Sequence, residues 1–417
     1  MFQFLLSFWT AIFIYAFPLF CAQGSNVLLG VDVFFKENKI AALKGKRVGL
    51  ITNHTGADGQ LRSTVDLFLN NFHGIQIAAL FSPEHGFYGQ AHAEGAVADQ
   101  KEYKGIPVYS LFGKLRRPTR QMLKGIDVLI YDIQDIGCRT YTYITTLFYA
   151  MEEASKEHIP LIVLDRPNPI NGHLVEGPML KEKWRSFIGY VNVPYCHGMT
   201  IGELARFFNE EYHIGCALEV VPMQGWQRWM SYADTHLTWI PTSPNISEAD
   251  TPLYYASTGI IGELGIVNIG IGYTLPFKIL GAPWIKAEEF AEKMNAQHLP
   301  GVVFLPFHFR PFYGIYKEKE CQGVLIRIID AHSYKPLAVQ YMLLGILNLL
   351  YPKHMQTRLA ALNPEKRVLF CKANGNDEML DILCKEKYVA WKLITYQKEE
   401  RDSFRQARKK YFLYPQN

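Results

Sequence analysis

Four runs of apolar residues in the first half of the chain each end on polar, chemically capable side chains. Val48 to Thr52 gives way to Asn53, His54 and Thr55, and Ile75 to Phe81 gives way to Ser82, Pro83, Glu84 and His85. Val128 to Tyr131 leads into Asp132, Gln134, Asp135 and Arg139, and Leu161 to Leu164 into Asp165, Arg166 and Asn168. Short apolar runs separated by stretches of helical spacing read as parallel strands buried on both faces. Helical spacing is read at Lys36 to Lys46, Thr64 to Asn70, Thr119 to Leu123 and Tyr141 to Ala154. Thr200 and Glu203 form a capping box before Leu204 to Phe208, and Leu218 to Val221 reads as a further strand. Alternation of this kind predicts an α/β fold with a Rossmann-like, doubly wound, mostly parallel sheet. Ligands of such sheets bind outside the carboxyl ends of the strands, so the four clusters are expected to meet at one edge.

The pattern changes after Pro241. Pro, Ser, Asn and Asp dominate as far as Pro252, and Gly is frequent from Gly259 to Gly281. Such composition marks a linker. Beyond it, helices are predicted at Ala287 to Asn295, Pro336 to Leu350 and around Lys398 to Lys410, with a strand at Val324 to Ile329. The expected organisation is a leader over 1–24, a Rossmann-like catalytic domain over 25–246 and a smaller C-terminal α/β domain over 247–417, with a cleft between the two domains.

Composition narrows the function classes. The 417 residues are 49% hydrophobic with a net charge of only +4, and Lys and Arg are scattered, so no nucleic-acid partner is expected. The aromatic share of 14% suits sugar stacking as readily as core packing. Phe2 to Leu19 is almost wholly apolar, and Ala22 and Gly24 have the spacing of a signal-peptidase site. This points to an exported, periplasmic or extracytoplasmic protein that contacts membrane only through an uncleaved leader. Apart from Cys21 the cysteines are Cys138, Cys196, Cys216, Cys321, Cys371 and Cys384, too widely spaced for a stapled framework and without a CxxC pair.

Longer motifs stand in a fixed order: ITNHTG (51–56), FSPEHGFYG (81–89), GIPVYSLFG (105–113), DVLIYDIQDIGCRTYTYI (127–144), VLDRPNPINGHLVEGP (163–178), CHGMTIGELA (196–205), PMQGW (222–226), SPNI (243–246) and PFKILGAPW (276–284). Together they closely resemble the exo-β-N-acetylmuramidase family, the NamZ-type peptidoglycan hexosaminidases. The resemblance implies a Rossmann-like domain, a second α/β domain, a cleft between them, and release of terminal N-acetylmuramic acid from peptidoglycan fragments or muropeptides.

Glycoside hydrolysis needs a carboxylic acid to protonate the leaving oxygen and, in most enzymes, a second carboxylate as base or nucleophile. Glu84, stiffened by Pro83 and flanked by Phe81 and Phe87, is the candidate acid. For the second role the residues offer Asp132, Asp135, Asp165, Glu176 and Glu263, with the strand-end pair Asp132 and Asp165 placed first. Asn53, Gln134 and Asn168 suit sugar hydroxyl and N-acetyl groups. Arg139 offers a fork for the lactyl carboxylate of muramic acid, or a tie for Asp135. His85 and His197 are candidates to orient a carboxylate or move protons, and Tyr141 and Tyr143 to line the crevice.

One stretch departs from the family pattern. Asn268, Ile269, Gly270, Ile271, Gly272, Tyr273 and Thr274 stand where the family shows an SEGRGTT-like run, and Lys278 stands where an acid is common, while Glu263 matches the preceding acid. The loss of two polar grips leaves open a catalytically reduced muropeptide-binding relative. A metal-dependent hydrolase is a further alternative, because His54, His85, His92 and His197 with Asp132 and Asp165 are acceptable ligand types. No HExxH, GxGxxG after a strand or GxSxG occurs, and neither a metal nor an organic cofactor is expected.

Overall fold

The computed structural model describes residues 27–71, 73–91 and 102–416. The leader expected at 1–24, Cys21 and His92 lie outside the described residues.

A seven-stranded sheet organises the first half. Its strands are β1 (Arg47–Thr52), β2 (Gln76–Ser82), β3 (Glu102–Tyr103), β4 (Ile106–Ser110), β5 (Val128–Asp132), β6 (Leu161–Leu164) and β7 (Leu218–Val221), in the spatial order β3-β4-β2-β1-β5-β6-β7. All neighbours are parallel except β3 and β4. The chain builds outward from β1 through β2 to β4, then crosses back to start β5 on the other side of β1, which is the doubly wound topology.

Alternate residues of the central strands enter different layers, which explains their unbroken apolar runs. Leu129, Tyr131, Leu161 and Val163 face the helices Tyr143–Lys156 and Ile201–Glu211. Val128, Ile130, Ile162 and Leu164 face Val31 and Phe34 of helix Gly30–Lys36 and Val65 and Phe68 of helix Thr64–Leu69. The predicted capping box forms: the Thr200 hydroxyl accepts from the Glu203 amide at 3.3 Å, and the Glu203 carboxylate accepts from the Thr200 amide at 3.2 Å.

The second half carries an antiparallel sheet, β8-β10-β9, made of β8 (Ile279–Ala282), β9 (Val302–Phe309) and β10 (Cys321–Ile328). Helix Pro336–Leu350 is buried against helix Thr251–Glu263, and the core runs without a break from β5 and β6 into both. The stretch read as a linker, Pro241 to Pro252, is irregular as far as Asp250, and helix Thr251–Glu263 begins at its end. Pro252 sits in its first turn, where a missing N–H costs nothing. Gly262 makes room for Ile269, whose Cδ1 would lie 2.5 Å from a Cβ there.

The chain ends by returning to the first sheet. Tyr414 stacks edge-on against Trp226 and donates to Asp165 at 2.5 Å, and Arg408 donates to the carbonyls of Gly172 and His197 at 3.0 and 2.9 Å. The unit expected over 247–417 therefore surrenders its last residues to the other half.

Candidate active site

The loops after β2 and β5 rise over the carboxyl edge of the large sheet and meet helix Thr251–Glu263 across a cleft. Glu84, His85, Thr140, Tyr141, Thr142, Tyr195, Ser243, Asn245, Tyr255, Glu263 and Phe277 line it, with Ile188, Pro244, Ile246, Gly259, Ile260, Leu369 and Ala373. It encloses about 850 Å³ including its mouth, a size suited to a sugar ring with substituents.

Glu84 comes from the turn after β2. His85 and Gly86 have φ of 70° and 79°, so two successive residues adopt the left-handed region, which reverses the chain at Glu84. Thr142 donates from Oγ1 to Glu84 Oε2 at 2.6 Å. Tyr143 fixes the turn from beneath: its hydroxyl accepts from Asn53 Nδ2 at 3.2 Å and donates to the Thr242 carbonyl at 2.9 Å, with the Glu84 carbonyl 3.5 Å away. Tyr143 is fully buried and Asn53 nearly so, the latter spending its Oδ1 on Thr55 N and Oγ1 at 2.9 and 2.6 Å. Both support the Glu84 turn and neither lines the cleft.

His85 lines the cleft with Nδ1 2.7 Å from the Ala91 carbonyl. Only a protonated Nδ1 bonds a carbonyl, so Nε2 is left for the cleft side. Glu263, the last residue of helix Thr251–Glu263, lines the same cleft. Aromatic rings line the same cleft, with Tyr255 edge-on to both Tyr141 and Phe277 at centroid distances of 6.4 and 5.1 Å. The Thr140 hydroxyl ties Tyr195 and Tyr255 together at 3.3 and 2.9 Å.

Several expected site residues belong to the scaffold instead. Asp132 is fully buried and receives Arg166 Nε at 2.6 Å, Arg166 Nη2 at 2.9 Å and Thr64 Oγ1 at 2.5 Å, which occupies its lone pairs. Asp165 accepts from the Arg166 amide, Gly202 amide, Thr200 hydroxyl and Tyr414 hydroxyl, at 2.9, 2.7, 2.8 and 2.5 Å. Its burial pushes the carboxyl up from its ordinary pKa. The second-carboxylate role placed first on these two is corrected: they fasten the switch point and a helix start.

Arg139 is likewise withdrawn as the lactyl grip. It is fully buried and donates to the carbonyls of Pro178, Val193, Ala373 and Asn374 at 2.6, 2.7, 3.3 and 2.6 Å, stitching the two halves together. Asn168 bonds the Met199 carbonyl and the Ile170 amide at 3.0 and 3.1 Å, and Gln134 the carbonyls of Asp135 and Pro167, both at 2.8 Å. Glu176 accepts from the Leu337 amide at 3.0 Å and borders a different depression with Arg401 and Arg405. His197 is fully buried, bonded by the Met199 amide at 3.2 Å, and burial holds its pKa down at about 3, so it stays neutral. Among the described residues no group of three His, Cys, Asp or Glu side chains is disposed to hold a metal ion.

Asp135 is buried, with Oδ2 accepting from the Gly137 amide at 2.7 Å and Oδ1 without a partner among the described residues. Desolvation pushes its pKa up to about 7, against the opposing pull of the Gly137 and Ile136 amides. An unfolded Asp titrates near about 3.9. Between those values the folded chain binds more protons than the unfolded one, so stability from this group is full below about pH 4 and is lost as pH rises through 7. Asp135→Asn keeps the Gly137 bond and removes the charge. Its urea midpoint is expected to exceed that of the wild type at about pH 8 and to converge on it near pH 4; a difference independent of pH would contradict this.

Tyr141 lines the cleft as expected, and Thr140, Thr142, Tyr195, Ser243, Asn245 and Tyr255 line it without having been chosen from the sequence. Most stand inside the motifs RTYTY and SPNI, where their hydroxyls draw less notice than charged neighbours. The departure at 268–274 changes meaning too. Ile269 is buried against Gly262, and neither it nor Ile271 is among the described lining residues. Lys278 pairs with Glu248 and Asp250 at 2.5 and 3.0 Å, outside the cleft.

Comparison with known proteins agrees with this architecture. Residues 48–250 match the family described as exo-beta-N-acetylmuramidase NamZ, N-terminal, and residues 253–414 match its C-terminal counterpart. The chain is 42% identical over 336 residues, 80% of each protein, to the peptidoglycan beta-N-acetylmuramidase NamZ of Bacillus subtilis. Two crystal structures of DUF1343 family proteins from Bacteroides fragilis superpose on 94% of it. One does so with TM-score 0.86 and 40% identity over 99% of that chain, the other with 0.73 and 28% over 100%. With both halves matched in order, the chain belongs to the exo-β-N-acetylmuramidase NamZ family.

Proposed function

We propose that this protein is an exo-acting β-N-acetylmuramidase that hydrolyses terminal N-acetylmuramic acid from peptidoglycan fragments. The observation that carries the reading is that Glu84 and Glu263, which come from the two halves of the chain, line one aromatic-rich cleft in a chain of this family. Glu84, held by Thr142, is assigned as the acid that protonates the leaving oxygen. Glu263 is assigned as the opposing carboxylate, to activate water or to attack the anomeric carbon. The rings of Tyr141, Tyr255 and Phe277 offer faces to the sugar, and the hydroxyl and amide groups of Thr140, Ser243 and Asn245 suit its N-acetyl and hydroxyl groups.

The lactyl carboxylate is assigned to His85, whose imidazole is the basic side chain among the described lining residues. The muropeptide-binding alternative rested on Ile269 and Ile271 as altered substrate contacts, and their position outside the lining removes that support. We further place the protein outside the cytoplasm, on the strength of the apolar run Phe2 to Leu19 and of a substrate class that lies there.

The test is incubation with a chromogenic β-N-acetylmuraminide and with its glucosaminide analogue, which lacks the lactyl group. Release from the first alone supports the assignment, with proton NMR of the nascent sugar reporting retention or inversion. No release from the muraminide would remove it.

A further inference from the structure

We propose that Cys138 and Cys196 close into a cross-strand disulfide beneath the floor of the cleft when the chain folds in the presence of a thiol–disulfide oxidant. The two residues face each other as an antiparallel bridge. The hydrogen bond next to them runs from the Arg139 amide to the Tyr195 carbonyl at 2.7 Å. That arrangement makes the cysteines a non-hydrogen-bonded pair, the kind whose Cα atoms approach to about 4.5 Å. Disulfides span Cα separations of roughly 4.4 to 6.8 Å, so the backbone already stands where the bond requires it. Both residues are wholly buried, and both carry free thiols in this structure.

The neighbours give the pair a purpose. Thr140, two residues after Cys138, and Tyr195, next to Cys196, both line the cleft. Thr142, two further on, holds Glu84. Cys196 is fixed on its other side to Glu176 by paired backbone bonds of 3.1 and 2.9 Å. A covalent link at this point fastens the loop that positions Glu84 to the segment that carries Tyr195, and closes a loop of roughly 60 residues.

In the reaction the two thiols give up two protons and two electrons and form one S–S bond, while a disulfide of the oxidised-glutathione class takes them up and leaves as two thiols. Burial raises the Cys196 thiol well above its ordinary pKa, so little thiolate is available once the chain has folded. The bond therefore forms during folding and resists reductant afterwards.

The full chain is refolded from denaturant in oxidised and reduced glutathione, and in parallel with excess reductant. Free thiols are then alkylated under denaturing conditions and the peptides mapped by mass. The expected result is a Cys138–Cys196 linked peptide after oxidative refolding, with a melting temperature roughly 5 °C above that of the reduced protein. In Cys138→Ser the linked peptide and the redox dependence of melting should both disappear. Alkylation of both cysteines after oxidative refolding, or linkage of either to a different cysteine, overturns the proposal. The peptide map of the wild type decides the matter even if the serine variant does not fold, and it does so whatever the enzyme's substrate.

Discussion

Glu84→Gln is expected to lower kcat/KM on a muramic acid disaccharide by about 10² to 10⁴-fold, the range lost when a general acid is removed. The amide is isosteric and still accepts the Thr142 hydroxyl bond, so the turn built on His85 and Gly86 should stay intact and the melting temperature should change little. The leaving group separates the possible roles. An acid matters most when the departing oxygen is a poor leaving group, as in a sugar alcohol, and least for an activated aryl oxide. The loss should therefore be larger on the disaccharide than on the chromogenic substrate. Equal loss on both would move Glu84 from the acid role to that of nucleophile or base, and undiminished rates would remove it from the chemistry.

The second large effect concerns stability. Arg166→Met leaves Asp132 buried without its guanidinium partner, and breaking such a pair from one side costs about 3–5 kcal/mol. Desolvation is the reason, since Asp132 is fully buried and, among the described residues, the Thr64 hydroxyl is the donor that remains to its carboxylate. The pair sits at the carboxyl end of β5, beside that of β1, the place where open α/β sheets commonly take a ligand. Here the place is filled by protein. Arg166→Met combined with Asp132→Leu should recover much of the loss, because a buried ion pair exchanged for apolar groups is often neutral. Urea unfolding of the single and double variants checks this. A single variant as stable as wild type would mean that the charge finds water, contrary to its burial.

The sheet was legible in the sequence because its central strands are buried on both sides, and Val128 to Tyr131 or Leu161 to Leu164 are apolar at every position. The edge pieces β3 and β4 were not, since Glu102, Tyr103, Pro107 and Tyr109 are exposed or half-buried and break the pattern. Helix Thr251–Glu263 was hidden by Pro252, Gly259 and Gly262, residues that signal a loop until it is known that they serve a helix start, a cleft wall and a close contact.

Charge at a strand end proved an ambiguous sign. Asp132, Asp165 and Arg139 carry the side chains that chemistry wants, and each is consumed by partners distant in sequence, such as Thr64, Tyr414 and Asn374. Sequence alone does not count hydrogen-bond partners across the fold. Glu84 and Glu263 share the feature that matters, a place at the cleft surface at the end of an element, and that emerges only when the two halves are packed together.

The most direct measurement is a crystal structure of Glu84→Gln soaked with an N-acetylmuramic acid disaccharide. The sugar is expected in the cleft lined by residues 84 and 263, with its glycosidic oxygen about 3 Å from the side-chain amide that the substitution places at position 84. The muramic ring should lie against Tyr141, Tyr255 or Phe277. Density in any other depression, or a glycosidic bond held out of reach of residue 84, would contradict the assignment.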